Sequence, residues 1–271
     1  MEKPVSPQPS IRQLFNNKAQ NIHSLITSLK HGARSRKHYS PDSQAVEDTI
    51  QGSERILFGI IKKFVLADSL ALISMNSQNA LHTNSTIWIW VLLYAYAFRL
   101  YFDFAGYTDI AIGLGRLAGI RLPENFDQPY LKPNLTAFWN SWHMTLAQWF
   151  RAYFFNPLTR SLRSRYRAAP AWSVILIGQL STMILIGLWH GITWSFFAWG
   201  AWHGCGLFIH NRWAEWRRSR SPAVESHPFG SMINGFLGGV VTFHFVLLGW
   251  VWFAMPDPNL AIDVFLRLIG R

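Results

Sequence analysis

The chain has 271 residues, of which 50% are hydrophobic, 15% aromatic and only 14% charged. Soluble domains average about 25% charged residues, so the composition argues against a freely soluble protein. The 25 Lys and Arg against 14 Asp and Glu give a net charge of +11, but these bases are not interleaved with acids along a surface stripe, as a nucleic-acid-binding domain requires.

The placement of charge is more informative than its sum. No Asp, Glu, Lys or Arg occurs from Ala168 through Asn211, or from Ser226 through Pro256. Uncharged apolar runs above roughly 18 residues read as membrane-spanning helices. The expected fold is therefore all-α, a polytopic transmembrane helical bundle with amphipathic and re-entrant helices. The single cysteine, Cys205, excludes an intramolecular disulfide framework and any CxxC motif.

In chain order, residues 1–53 form a polar, basic segment with a cluster at Lys30, His31, Arg34, Arg36, Lys37 and His38. Most of it reads as solvated chain. Ile11, Leu14, Phe15, Ile22, Leu25, Ile26 and Leu29 keep a helical spacing, which predicts a short surface helix within it. No stretch up to Gly52 has the apolar core of a secretory signal, so insertion is expected to rely on internal spans. Residues 54–271 form the transmembrane domain.

Ile56 to Ile73 reads as an apolar helix interrupted by Lys62, Lys63 and Asp68, suited to a membrane boundary or the inside of a bundle. Ile87 to Phe104 is a better span, and its Trp88, Trp90, Tyr94, Tyr96 and Tyr101 are of the kind that settle at membrane interfaces. Arg99 and Asp103, four apart, are expected to neutralise each other on one helical face. A separate glycine-rich helix from Gly106 to Gly119 should follow, with Asp109 between small residues that permit close helix approach. Its run Gly113-Leu-Gly115-Arg-Leu-Ala-Gly119 misses the dinucleotide fingerprint in its last spacing, and no strand precedes it.

Leu122 to Tyr130 carries two prolines and must be irregular. Asn134 is placed to cap a helix in which Leu135, Phe138, Trp142, Leu146, Trp149 and Tyr153 recur at steps of three and four. Three spans close the chain: Trp172–Trp189, Ile192–Ile209 and Phe236–Met255. The first two are joined by a tight hairpin at His190-Gly191. Arginines flank it on both sides, at 160, 163, 165 and 167 and again at 212, 217, 218 and 220. Both flanks are then cytoplasmic, and the tip faces the opposite side.

Ionisable residues inside apolar segments are functional candidates because burying them is costly. They are Asp103, Asp109, His143, His190, His203 and His244. None of these histidines lies three or four residues from another, so no metal is expected. There is no Gly-x-Ser-x-Gly elbow. Chemistry, if this chain performs any, must rest on histidine.

YFDFAGYTDIAIGLGRLAGIRLPENFDQPYL (Tyr101–Leu131), FWNSWHMTLAQWFRAYFFNPL (Phe138–Leu158) and GLWHGITWSFFAWGAWHG (Gly187–Gly204) together resemble the membrane-bound O-acyltransferase family. The likeness is strongest to its bacterial branch of alginate O-acetyltransferases and teichoic acid D-alanyl transferases, and it extends over about Glu54 to Met255. It implies an O-acyltransferase moving an acyl group, acetyl in the first instance, to hydroxyls of an extracytoplasmic polysaccharide or other cell-envelope polymer. The competing reading is a truncated, non-catalytic membrane fragment or scaffold.

The resemblance also implies roles for residues. His190 matches the family's catalytic histidine, and His143 matches its second functional histidine, either orienting the acceptor or stabilising the oxyanion. Trp189, Trp142, Trp139, Asp109, Asp103 and His203 are assigned to tunnel lining or structural support. No bound cofactor is implied. The acyl donor is acetyl-CoA or a carrier-bound acyl thioester, and the partners are membrane lipid, the polymer acceptor and a periplasmic acyltransferase. Family members carry further transmembrane helices before the segment matching Glu54–Ile73. A polar stretch stands there in this chain, which leads to the expectation that it represents the C-terminal part of the family's core.

Overall fold

The computed structural model describes residues 41–220 and 228–271, with no β-strand among them. The surface helix expected between Ile11 and Leu29 lies outside the described residues. The body that carries the site is Asp48–Arg271.

Helix α1 (Pro41–Ile60) passes without a break into a π-helical stretch (Ile61–Ala67) and then α2 (Asp68–Ala71). After the short α3 (Ser77–His82), α4 runs from Thr86 to Leu117 as one rod of 32 residues. The span and the glycine-rich helix expected separately are thus continuous. Glycine disfavours a helix interior when solvent is the alternative neighbour, but here the glycines face another backbone. Gly59 packs on Gly106, and a Cβ on Gly106 would sit 2.7 Å from the Gly59 carbonyl oxygen. One heptad away on each helix, Gly52 meets Gly113 in the same manner. Close packing offsets the propensity cost, as in other small-residue helix pairs.

Charge lies between these glycine layers and just beyond the Gly59–Gly106 one. Asp109 accepts from Arg55 at 2.9 Å and from Lys62 at 2.6 Å, while Asp103 accepts from Lys63 at 2.5 Å. Arg99 therefore does not pair with Asp103. It donates instead to the Ser74 hydroxyl at 3.0 Å, because a lysine from the neighbouring rod supplies the closer partner for Asp103.

The aromatic stripe from Leu135 to Tyr153 is divided into α5 (Leu135–Trp139), α6 (Met144–Phe150), a π-helical stretch (Arg151–Phe155) and α7 (Asn156–Arg165). Asn134 does cap α5, accepting from Ala137 N at 2.8 Å. The helix then breaks at Asn140 and Ser141, whose types compete for backbone hydrogen bonds; the Ser141 hydroxyl donates to the Phe138 carbonyl at 2.9 Å. His143 takes up the turn in the left-handed region, φ 43°.

Helices α8 (Ala171–His190) and α9 (Trp194–Arg220) form the expected hairpin, followed by α10 (Pro228–Ala254) and α11 (Pro258–Leu268). Thr86–Leu117, Ala171–His190 and Ile233–Ala254 are long and apolar enough to cross a membrane. Helix α9 falls below that mark because glycine, tryptophan and histidine dilute its aliphatic content. Its Gly200 and Gly204 pack against the α8 backbone near Met183 and Leu180. The core collects beneath the hairpin, where Phe138, Trp142, Trp199, Trp250 and Val251 are buried together.

Candidate active site

The turn that carries His143 is held by the irregular segment before it. Asp127 N donates to the Ser141 carbonyl and Met144 N to the Asn125 carbonyl, each at 3.0 Å. The Asn125 side chain continues this attachment, with Oδ1 accepting from Thr145 N at 3.2 Å and from the Thr145 hydroxyl at 2.9 Å. The first amides of a helix lack partners within it, and at α6 those of Met144 and Thr145 are supplied by Asn125. The same Oδ1 lies 3.1 Å from His143 Nδ1. Asn125 is itself buried, at 7% exposure.

The His143 ring packs edge-on to Phe104 of α4 at 4.6 Å between centroids. Burial lowers the affinity of this half-buried imidazole for a proton, and positive charge on His190 acts in the same direction, bringing its pKa down to about 4. His143 is therefore neutral at pH 7.

His190 ends α8, where Gly191 and Thr193 turn the chain into α9. Its ring is bracketed by Trp189 at 4.9 Å, Phe253 at 5.0 Å and Trp199 at 5.8 Å. Between the histidines runs a floor of large rings: Trp199 stacks on Trp250, Trp250 meets Trp142, and Trp142 meets Phe126 beside Phe104. Trp142 thus separates the two sides of the site, whereas Trp189 is 60% exposed and touches only the His190 side.

His203 lies deeper and is fully buried, enclosed by Trp139, Trp199, Phe245 and Trp250. Neither of its ring nitrogens has a hydrogen-bond partner. His244 is satisfied on both sides, by the Tyr94 hydroxyl at 2.7 Å and the Val240 carbonyl at 2.8 Å, a packing arrangement with no free nitrogen. Asp103 and Asp109 are engaged in the α1–α4 seam. Among the described residues, no group of three His, Cys, Asp or Glu side chains is arranged to hold a metal ion.

A slot of about 180 Å³ approaches the site from the arginine-flanked side. Its lining includes Gln179, Met183 and Ile186 of α8, with Trp139, Arg151 and Asn211 opposite. Positions 179, 183, 186 and 190 follow steps of four, three and four, so His190 continues the face that lines the slot. The eleven steps from Gln179 to His190 span about 16 Å at 1.5 Å per residue. Gln179 Oε1 is buried in this wall without a partner.

Asn125, Gln179 and Phe104 were not singled out by sequence. Asn125 sits in a proline-bracketed segment whose only signal is irregularity, and its contact with His143 depends on the break between α5 and α6.

These features define an integral-membrane helical protein with one candidate histidine at the head of a helical hairpin and a second in the turn between α5 and α6. The membrane-bound O-acyltransferase family model matches residues 55–237, and the chain belongs to that family. It is 36% identical over 219 residues to the probable alginate O-acetylase of Pseudomonas aeruginosa, covering 81% of this chain and 38% of that one. It is 34% identical to a peptidoglycan O-acetyltransferase of Helicobacter pylori, covering 78% of this chain and 37% of the relative. Against a teichoic acid D-alanyltransferase of Bacillus subtilis it is 30% identical, covering 75% of this chain and 50% of the relative. The chain thus spans well under two thirds of the length of these relatives.

Proposed function

We propose that the protein is a histidine-dependent O-acyltransferase of the cytoplasmic membrane, passing an acyl group, acetyl in the first instance, from a cytoplasmic thioester to hydroxyls of an extracytoplasmic envelope polymer. The observation that carries this reading is a slot walled by the helix face that ends at His190. The slot is lined by Arg151 and Asn211 and by the α8 face, Gln179, Met183 and Ile186, whose next position is His190, and a floor of aromatic rings leads from His190 toward His143. Coenzyme A and acyl carriers both present their thioester on a pantetheine arm. A narrow slot whose α8 wall leads over about 16 Å of helix to His190, with Arg151 and the unpartnered Gln179 side chain in its lining, suits such an arm. Arginines beyond both ends of the α8–α9 hairpin favour a cytoplasmic mouth.

In this reaction an acceptor hydroxyl attacks the thioester carbonyl. His190 takes the hydroxyl proton as the C–O bond forms, and the C–S bond then breaks, with the thiolate recovering a proton. Neutral imidazole is suited to that transfer near pH 7. The polymers named for the relatives support an envelope polymer as acceptor, and a periplasmic partner would carry the acyl group beyond the membrane.

The test is the acyl content of the envelope polymer in cells complemented with the full-length gene. His190→Ala is expected to abolish the acyl increment while leaving the protein in the membrane. Unchanged acylation with His190→Ala and with His143→Ala would favour the non-catalytic scaffold reading.

A further inference from the structure

We propose that Asn125 is a positioning residue that holds His143 as the Nδ1–H tautomer, presenting Nε2 to the site as a proton acceptor only. This deepens the acyltransfer reading and rests on it for the use made of Nε2, but not for the tautomer. The assignment follows from donors and acceptors. Thr145 N is an obligate donor, so the Asn125 atom that meets it is the carbonyl oxygen and not the amide nitrogen. That oxygen carries only lone pairs, and it lies 3.1 Å from His143 Nδ1. An unprotonated Nδ1 would set two lone pairs against each other in a buried place. A protonated Nδ1 donates, and in neutral imidazole the other nitrogen is then an acceptor.

The choice separates two uses of this histidine. An oxyanion needs a donor, which Nε2 of this tautomer is not. A second hydroxyl of the polymer, beside the one whose proton goes to His190, needs a lone pair to donate to, which Nε2 offers. His143 thus orients the incoming polymer, and stabilisation of the oxyanion falls to other groups. The left-handed turn at His143 serves the same end, because it places the ring beside a segment that reaches it through both backbone and side chain of Asn125.

The charged neighbours do not disturb this arrangement. Glu124 is paired with Arg55, Asp127 is paired with Lys132 at 2.6 Å, and His190 is the ionisable group whose charge reaches the ring.

Two measurements test the proposal. In the full chain labelled with 15N-histidine in detergent, His143, assigned by its loss in His143→Gln, should show a protonated Nδ1 and an unprotonated Nε2 at pH 7. Asn125→Asp keeps the acceptor for Thr145 N but places a carboxylate against the ring. It should raise the His143 pKa by about two units. The acid limb of polymer acylation should move upward equally, a roughly hundredfold loss at low pH that recovers at high pH. Asn125→Leu should lose activity at every pH, and Asn125→Asp should rescue it above the shifted limb. Protonation of Nε2 in the unsubstituted chain, or a pH-independent loss in Asn125→Asp, would overturn the proposal. Unchanged acylation with His143→Gln would instead overturn the catalytic use of this histidine, a separate result from the measured tautomer.

Discussion

The Lys62 ammonium lies 2.6 Å from the Asp109 carboxylate across the seam between α1 and α4, and Arg55 meets the same carboxylate at 2.9 Å. Asp109 is 7% exposed, whereas each cation keeps about a third of its side chain open, 33% for Arg55 and 32% for Lys62. Removing the shared acid leaves two cations facing each other beside the Gly59–Gly106 contact. Because the cations are partly solvated, the penalty falls below that of a fully buried pair. Asp109→Asn should cost about 2 kcal/mol, read as an earlier tryptophan-fluorescence unfolding transition in detergent. Lys62→Met alone should cost less, since Arg55 still compensates the acid.

This seam shows how far the sequence could be read. Asp103 and Asp109 were legible as helix-pairing residues, because charge in an apolar segment needs a partner. Which partner was not legible: Arg99 was the nearest in sequence, and Lys63, forty residues away, is the nearest in space. The continuity of α4 through Gly106 was hidden for a related reason, since glycine breaks an isolated helix and closes a paired one. The spans at α4, α8 and α10 and the hairpin at His190 were readable from hydropathy, whereas α9, expected as a span, is too rich in glycine, tryptophan and histidine to meet that mark. The site was only half readable. Residue type and resemblance indicated His143 and His190, but periodicity extended one helix through residue 143, where the chain turns left-handed and takes Asn125 as its partner.

Acid should weaken the fold through His143. Burial, aided by charge on His190, lowers its pKa from 6.5 to about 4. Between those values the unfolded chain binds a proton that the folded chain does not. The proton-uptake difference therefore favours unfolding progressively as the pH falls from 6.5 toward 4, and it levels off below the folded value. With the part of the ring open to solvent discounting the full shift, on the order of 2 kcal/mol should be lost across that window. His143→Gln should flatten this part of the stability profile, measured by unfolding in detergent at successive pH values. A variant profile with the original slope would assign the loss to other groups.

Gln179 offers a test in which stability and function move in opposite directions. Its Oε1 is buried in the slot wall with no partner, and an unsatisfied buried acceptor costs about 1–3 kcal/mol. Gln179→Leu conserves much of the side-chain volume and removes that acceptor, so the folded chain should become more stable by about 1 kcal/mol. If the slot takes the pantetheine arm, the same oxygen accepts an amide N–H of the donor, and its loss should raise the donor KM about fivefold to tenfold with kcat nearly unchanged. That split distinguishes a binding contact remote from the reacting carbonyl from a group engaged only in the transition state. A more stable variant with an unaltered donor KM would remove Gln179 from the donor path and leave its oxygen as a structural defect of α8.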